Sequence, residues 1–185
     1  KAASTPQLAN NPLTTSDTLR AIARAEEPST LRTRSTVGGL VAGRAWDSWL
    51  LAALLAADAS VGVRSRAGER TLTISDALAA GLRPGDLVTH VDLPLSGTWA
   101  SASTARTPAD KPIVGAVGRR RSDDSTVVAM CGVATTPVVV DPDRLPPEQD
   151  FPSDFRGSSA YRRHLADVNG ARVLAALNGE KGSIR

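Results

Sequence analysis

Apolar residues recur along the chain at helical, alternating and continuous spacings, and each change of spacing marks a change of element. After a polar lead-in over residues 1–15, rich in Pro, Asn, Ser and Thr, the residues Leu19, Ile22 and Ala23 fall on one helical face. Ser16 or Asp17 is placed to cap the free N–H groups of this helix, and Pro28 closes it. Ser35-Thr36-Val37-Gly38-Gly39 reads as a turn, because two residues without side chains permit positive φ or close backbone approach. From Asp47 or Ser48 through Ala57 the chain is apolar all round, which predicts a buried helix. Val61 and Val63 alternate with glycine and arginine as a strand, Ala67-Gly68-Glu69 turns, and Leu72 with Ile74 predicts the hairpin partner. Asp76 to Ala80 is one helical turn, Gly81 to Gly85 a loop, and Leu87 to Leu93 a half-buried strand that Pro94 ends.

The second half is read the same way. Residues 95–112 are a Ser/Thr/Ala/Pro stretch with no clear period, expected to be a mobile loop. Strands are predicted at Ile113 to Val117 and Thr126 to Ala134, flanking the charged Arg119 to Asp124 stretch, and Val138 to Val140 adds a third. Asp141 to Pro152 carries four prolines and is irregular. A final helix is capped by Ser158 or Ser159, has Tyr161, Leu165, Val168, Val173, Leu174 and Leu177 as its apolar face, breaks or kinks at Asn169-Gly170, and stops at Gly179. This order of elements predicts an α+β fold with mostly antiparallel pairing. The absence of a βαβ rhythm argues against a Rossmann fold.

Composition narrows the options only where it is unusual. A chain of 185 residues holds one domain or two small lobes, and with 3% aromatic residues its core must be aliphatic, anchored by Trp46, Trp49 and Trp99. The 22 basic residues barely exceed the 19 acidic ones, and Arg119-Arg120-Arg121 runs straight into Asp123 and Asp124, so local pairing competes with any phosphate backbone; no nucleic-acid role is expected. The single Cys131 rules out an internal disulfide or multi-cysteine metal site and points to a reducing cytoplasm. Inside an apolar strand it is expected to be a small buried hydrophobe. His90 and His164 lack partners at ligand spacing, so no metal site is predicted, and the longest apolar run, Trp49 to Ala57, falls short of a membrane span. The polar start does not resemble a signal peptide. Because translation cannot begin at Lys1, residues are expected upstream.

Five segments, in order, resemble one known family. Leu31-Arg32-Thr33-Arg34-Ser35-Thr36-Val37-Gly38-Gly39 is similar to its "R-N-x-(G/A)-T-(I/V)-G-G-N" turn, and Leu54-Leu55-Ala56-Ala57-Asp58-Ala59 to "L-L-A-L-D-A". Gly85 to Pro94 resembles "G-E-L-(L/I)-T-x-(I/V)-x-(L/I)-P", and Gly118 to Asp124 resembles "G-R-R-x-x-x-D". Phe155 to Leu165 resembles the C-terminal "D-x-x-(G/A)-S-A-x-Y-R-R-x-L" helix start. The family is the FAD-binding medium subunit of molybdenum hydroxylases, as in carbon monoxide dehydrogenase and xanthine dehydrogenase-like enzymes. The resemblance implies the second half of a PCMH-type FAD-binding domain over residues 1–95, then a small C-terminal lobe of antiparallel strands packed on helices over 96–185. It further implies FAD as cofactor, electron transfer as function, and iron–sulfur and molybdopterin subunits, or a chain supplying the N-terminal half, as partners.

The residues carried over as cofactor contacts are Thr36, Gly38, Gly39, Ser48 and Val88; no catalytic residue is identified. Backbone N–H groups laid open by two glycines, with a threonine hydroxyl, can hydrogen-bond a pyrophosphate without desolvating a side-chain charge. The same turn can equally bind nothing. Four departures bear on this choice. The family's other Gly-rich loop, "A-G-G-(T/H)-(D/S)", has no counterpart; its asparagine after the glycine pair is Leu40; its flavin-contacting aspartate is replaced by Trp49; and its lysine before "G-R-R" falls at Ala116. Trp49 can stack on a ring or fill the vacant cleft. The alternatives to an electron-transfer subunit are therefore a relative that has lost flavin and serves as a scaffold, and a repurposed biosynthetic enzyme.

Overall fold

The computed structural model describes residues 17–107 and 110–179, so the expectations for the lead-in before Asp17 lie outside the described residues. Among the described residues four short helices come first: α1 (Asp17–Ala25), α2 (Ser29–Arg32), α3 (Val37–Gly43) and α4 (Trp49–Ala56). The hairpin β1 (Ser60–Ser65) and β2 (Gly68–Thr73) leads into α5 (Ile74–Ala80) and strand β3 (Leu87–Asp92). Four more strands follow, β4 (Thr98–Thr104), β5 (Val114–Arg120), β6 (Thr126–Cys131) and β7 (Val138–Val140), and α6 (Ser159–Leu177) ends the described chain.

The strands form two antiparallel sheets, β2-β1-β3 and β4-β5-β6-β7. Helix α4 explains how they share a core. Its leucines, hydrophobic on every side, pack in one cluster with Val61, Val63 and Val88 of the first sheet and with Val117, Ala129 and Cys131 of the second. On the opposite face of the second sheet, Leu165, Val173 and Leu177 of α6 pack on Val114, Ala116, Val128 and Met130. Because strand neighbours alternate faces, β5 contributes Ala116 to one core and Val117 to the other. The expected α+β architecture with antiparallel sheets is the one observed.

Several local expectations are corrected. Thr98–Thr104, inside the stretch expected to be a mobile loop, is a strand paired along its length with β5. The turn predicted at Gly38-Gly39 is instead the first turn of α3, made possible because Thr36 caps it. Ile74 opens α5 rather than closing the hairpin, since Thr73 caps that helix by accepting from Asp76 N at 3.0 Å. No break occurs at Asn169-Gly170. Buried Asn169 donates to Val114 O at 3.2 Å, and Gly170 lets the helix approach so closely that an added Cβ would lie 2.6 Å from Leu145 Cδ1. Tyr161, expected on the apolar face, is exposed, and the neighbouring Arg162 is the buried residue.

The arginines of β5 do not pair with Asp123 and Asp124. Buried Arg119 donates to Ala57 O and Ser96 O, both at 2.8 Å, and stacks on Trp99. Arg121 grips Asp58 through both carboxylate oxygens at 2.7 and 2.8 Å. These bonds fasten the end of α4 to the second sheet. Asp123 instead accepts from Ser125 in the β5–β6 turn.

Candidate functional site

Thr36 adopts an extended conformation (φ −126°, ψ 149°), and its Oγ1 accepts from Gly39 N at 3.0 Å. A threonine in this position satisfies one of the helix's orphan N–H groups and keeps its own hydroxyl hydrogen available. Val37, Gly38 and Val41 are buried while Thr36 and Gly39 face solvent, so α3 lies with its apolar side on the core and its first turn open. A Cβ added at Gly39 would come within 3.1 Å of Thr36 Oγ1, so any larger residue would crowd that opening. The core side of α3 packs on β3, where Val88, 8% exposed, joins Val37 and Val41 in one cluster.

Ser48 is placed differently. It is fully buried and caps α4 by accepting from Leu51 N at 3.1 Å, beside the carboxylate of Glu26. Glu26 Oε2 also accepts from Leu50 N at 2.9 Å, so two groups from neighbouring elements organise the start of α4. Burial pushes the Glu26 carboxyl above the ordinary glutamate range, and the donors from Leu50, Ser48 and Lys111 only partly offset this. Lys111 approaches Glu26 at 3.7 Å and Glu27 at 3.0 Å. Burial alone would lower the Lys111 ammonium, but these carboxylates outweigh it and raise it. Sequence reasoning missed Glu26 and Lys111, because one of two adjacent glutamates before Pro28 and a lysine in a polar stretch carry the signature of surface residues.

The structure thus places Thr36, Gly38 and Gly39 at the start of α3, whose apolar residues Val37 and Val41 share a cluster with Val88 of β3, and it seals Ser48 into the base of α4. The two positions where the resemblance expects a carboxylate and a lysine are in contact with each other. Trp49 Nε1 donates to Ala116 O at 3.4 Å, and its indole covers Gly115. Cys131 is buried with its thiol pushed far up by desolvation, and among the described residues no group of His, Cys, Asp and Glu could hold a metal ion. No helix among them is long and apolar enough to cross a membrane.

Comparison with known proteins follows the same line. The profile of the FAD binding domain in molybdopterin dehydrogenase matches residues 2–96. The chain belongs to this family. Aldehyde oxidase 4 of Cavia porcellus is 37% identical over 81 residues, which is 41% of this chain but 6% of that protein. Quinoline 2-oxidoreductase from Pseudomonas putida 86 superposes with a TM-score of 0.80 at 20% identity, covering 97% of this chain and 74% of the other. A carbon monoxide dehydrogenase from Hydrogenophaga pseudoflava that lacks the Mo-pyranopterin moiety gives 0.84 at 19% identity, over 96% and 73%. At such identities these structures establish the fold, and that fold is the one expected from the motifs.

FAD is the cofactor of the family, and the start of α3 fits its phosphate portion: Thr36 and Gly39 are exposed there, the threonine hydroxyl keeps a hydrogen to donate, and a Cβ at Gly39 would crowd Thr36 Oγ1. At the other end of the expected contacts an indole and a methyl group stand in for two charges.

Proposed function

We propose that this chain is the FAD-holding part of a molybdenum hydroxylase-type oxidoreductase and that it works as an electron-transfer module. Within it Thr36, Gly38 and Gly39 receive the pyrophosphate, Val88 supports the wall beside it, and Ser48 acts from within the fold by fixing the start of α4. When bound, flavin supplies the redox chemistry, passing electrons from iron–sulfur clusters to an acceptor. The chain's own work is binding and orientation. Backbone amides at the first turn of α3 that Thr36 does not already hold donate to phosphate oxygens, and the threonine hydroxyl adds a donor that needs no compensating charge. Trp49 lines a cavity of about 330 Å³ with Ser103, Thr107 and Asp110, where an indole can offer a stacking surface in place of the missing ionic contacts.

The proposal divides the chain at residue 95 into the C-terminal half of the FAD-binding domain and a smaller lobe. It gives the assembled protein iron–sulfur and molybdopterin subunits, or a chain supplying the N-terminal half, and a cytoplasmic setting. The observation that carries it is the Thr36-capped first turn of α3, with Thr36 and Gly39 exposed, within a matched FAD-binding segment. Titrating FAD into the protein and following quenching of flavin fluorescence tests it. The wild type should bind, and Gly39→Val should weaken binding about tenfold or more, the loss of one or two charge-assisted hydrogen bonds, while its urea midpoint stays close to that of the wild type. A folded wild type with no affinity for FAD would favour the scaffold reading, to which the Trp49–Ala116 contact also lends support.

A further inference from the structure

A second concave site lies at the far end of the first sheet, where two turns face each other. One is the β1–β2 turn with Ser65, Arg66 and Ala67; the other is Arg83-Pro84-Gly85-Asp86, just before β3. Between them is a cavity of about 450 Å³. Arg70 lies in its lining, tied to Asp86 by a short ion pair, and the Asp86 side chain is only 2% exposed. Asp86 also accepts from Arg83 N at 2.7 Å, so one buried carboxylate fixes both a guanidinium in β2 and the backbone of the opposite turn. That carboxylate is committed twice over. Arg66 and Arg83, both exposed, complete the lining, and neither guanidinium is in an ion pair among the described residues.

Three guanidiniums and one carboxylate therefore line one concavity, an excess of two positive charges on pre-ordered turns. Such convergence is costly unless an anion enters, because like charges in a concave surface repel through a reduced dielectric. Guanidiniums favour oxygen anions that accept paired hydrogen bonds, and a phosphate dianion matches both the charge and the fork geometry. The walls also include Ala67 and Pro84, which suit the carbon portion of an ester rather than a bare ion. We infer that Arg66, Arg70 and Arg83 form a binding site for the phosphoryl group of a small phosphate monoester, separate from the Gly38-Gly39 turn.

Calorimetric titration of the full chain with AMP, ribose 5-phosphate, inorganic phosphate and adenosine tests this. AMP or ribose 5-phosphate should bind, adenosine should not, and the exposed pair Arg66→Gln/Arg83→Gln should weaken binding about tenfold or more at unchanged circular dichroism. The matched control Arg144→Gln/Arg172→Gln, which removes the same charge elsewhere, should leave the affinity as it was. AMP binding more tightly than the other phosphates would identify a nucleotide, and equal affinities would identify the phosphoryl group as the recognised part. The inference is overturned if the two variants behave alike, if none of the phosphates binds, or if saturating FAD competes the phosphate away.

Discussion

Gly115 has no side chain because Trp49 occupies the space one would need. An added Cβ would lie 2.8 Å from the indole Cδ1 and 3.1 Å from Cys131 Sγ, and both neighbours are held, the indole by Ala116 O and the thiol by its buried strand. Gly115→Ala should therefore destabilise the protein by about 1–3 kcal/mol, the usual cost of overpacking a closed site, despite alanine being the better residue for unfolded-state entropy. Urea denaturation checks this, and an unchanged midpoint would show that the indole moves freely. The contact among Trp49, Gly115 and Ala116 could not be read from the sequence. The two departures from the family pattern, 67 positions apart, look independent until strand β5 is laid under α4. Val88, Thr36 and the glycine pair were legible only through the motifs that contain them, since Gly-Gly by its own chemistry announces a turn.

The stretch from Asp154 to Arg162 is a latch between α6 and the body of the protein. Asp154 accepts from Arg162 Nη2 at 2.6 Å, from Arg156 Nε at 3.0 Å, and from the amides of Arg156 and Gly157. Arg156 reaches Asp47 at 2.9 Å, Arg162 donates to Ile113 O and Gly132 O, and the Trp46 ring lies near both guanidiniums, at 5.2 and 4.7 Å. Burial alone would raise the Asp154 carboxyl, but the donors from Arg162 and Arg156 outweigh it and hold it far below the usual carboxylate range. A carboxyl depressed in the folded state adds stability above its unfolded pKa of about 3.9 and loses it as pH falls toward the folded value. Asp154→Asn leaves fully buried Arg162 without its anion, and it should cost toward the lower end of about 3–5 kcal/mol at neutral pH, because Asp154 is itself 23% exposed. The gap to the wild type should narrow below about pH 4, and a gap constant from neutral pH to pH 3 would contradict this reading.

At this scale the sequence was informative wherever hydrophobic period and capping residues agreed. Helices α4 and α6 carry both signals, and strand β3 carries the alternation that Pro94 ends. Strand β4 carries neither, because Thr98–Thr104 is built from small residues whose alternation is weak, and its pairing with β5 decides its conformation. The Asn169-Gly170 pair misled for the opposite reason. Local propensity argues for a break there, but tertiary contacts to Val114 and Leu145 use the amide and the missing side chain to hold a straight helix.

For the whole molecule, the decisive feature is that α4 belongs to the core of both sheets, while Arg119 and Arg121 tie its end to β5. The two halves should then unfold together. Urea curves followed by tryptophan fluorescence and by far-ultraviolet circular dichroism should coincide in a single transition, and two separated transitions would show that the lobes are held independently. The fold class was legible at this scale from the order of elements, and the family from motifs spread over both halves. The position of the proposed cofactor contacts relative to each other was not, since it depends on which face of α3 meets β3.

The central claim is that the first turn of α3 meets the phosphates of FAD, and amide NMR of the isotope-labelled full chain tests it most directly. Addition of FAD should shift the Gly38 and Gly39 amide resonances in a saturable way, with smaller changes at Val88 and none at the turns carrying Arg66 and Arg83. Saturable shifts that spare both glycines, or no shifts at all in a folded protein, would contradict the account.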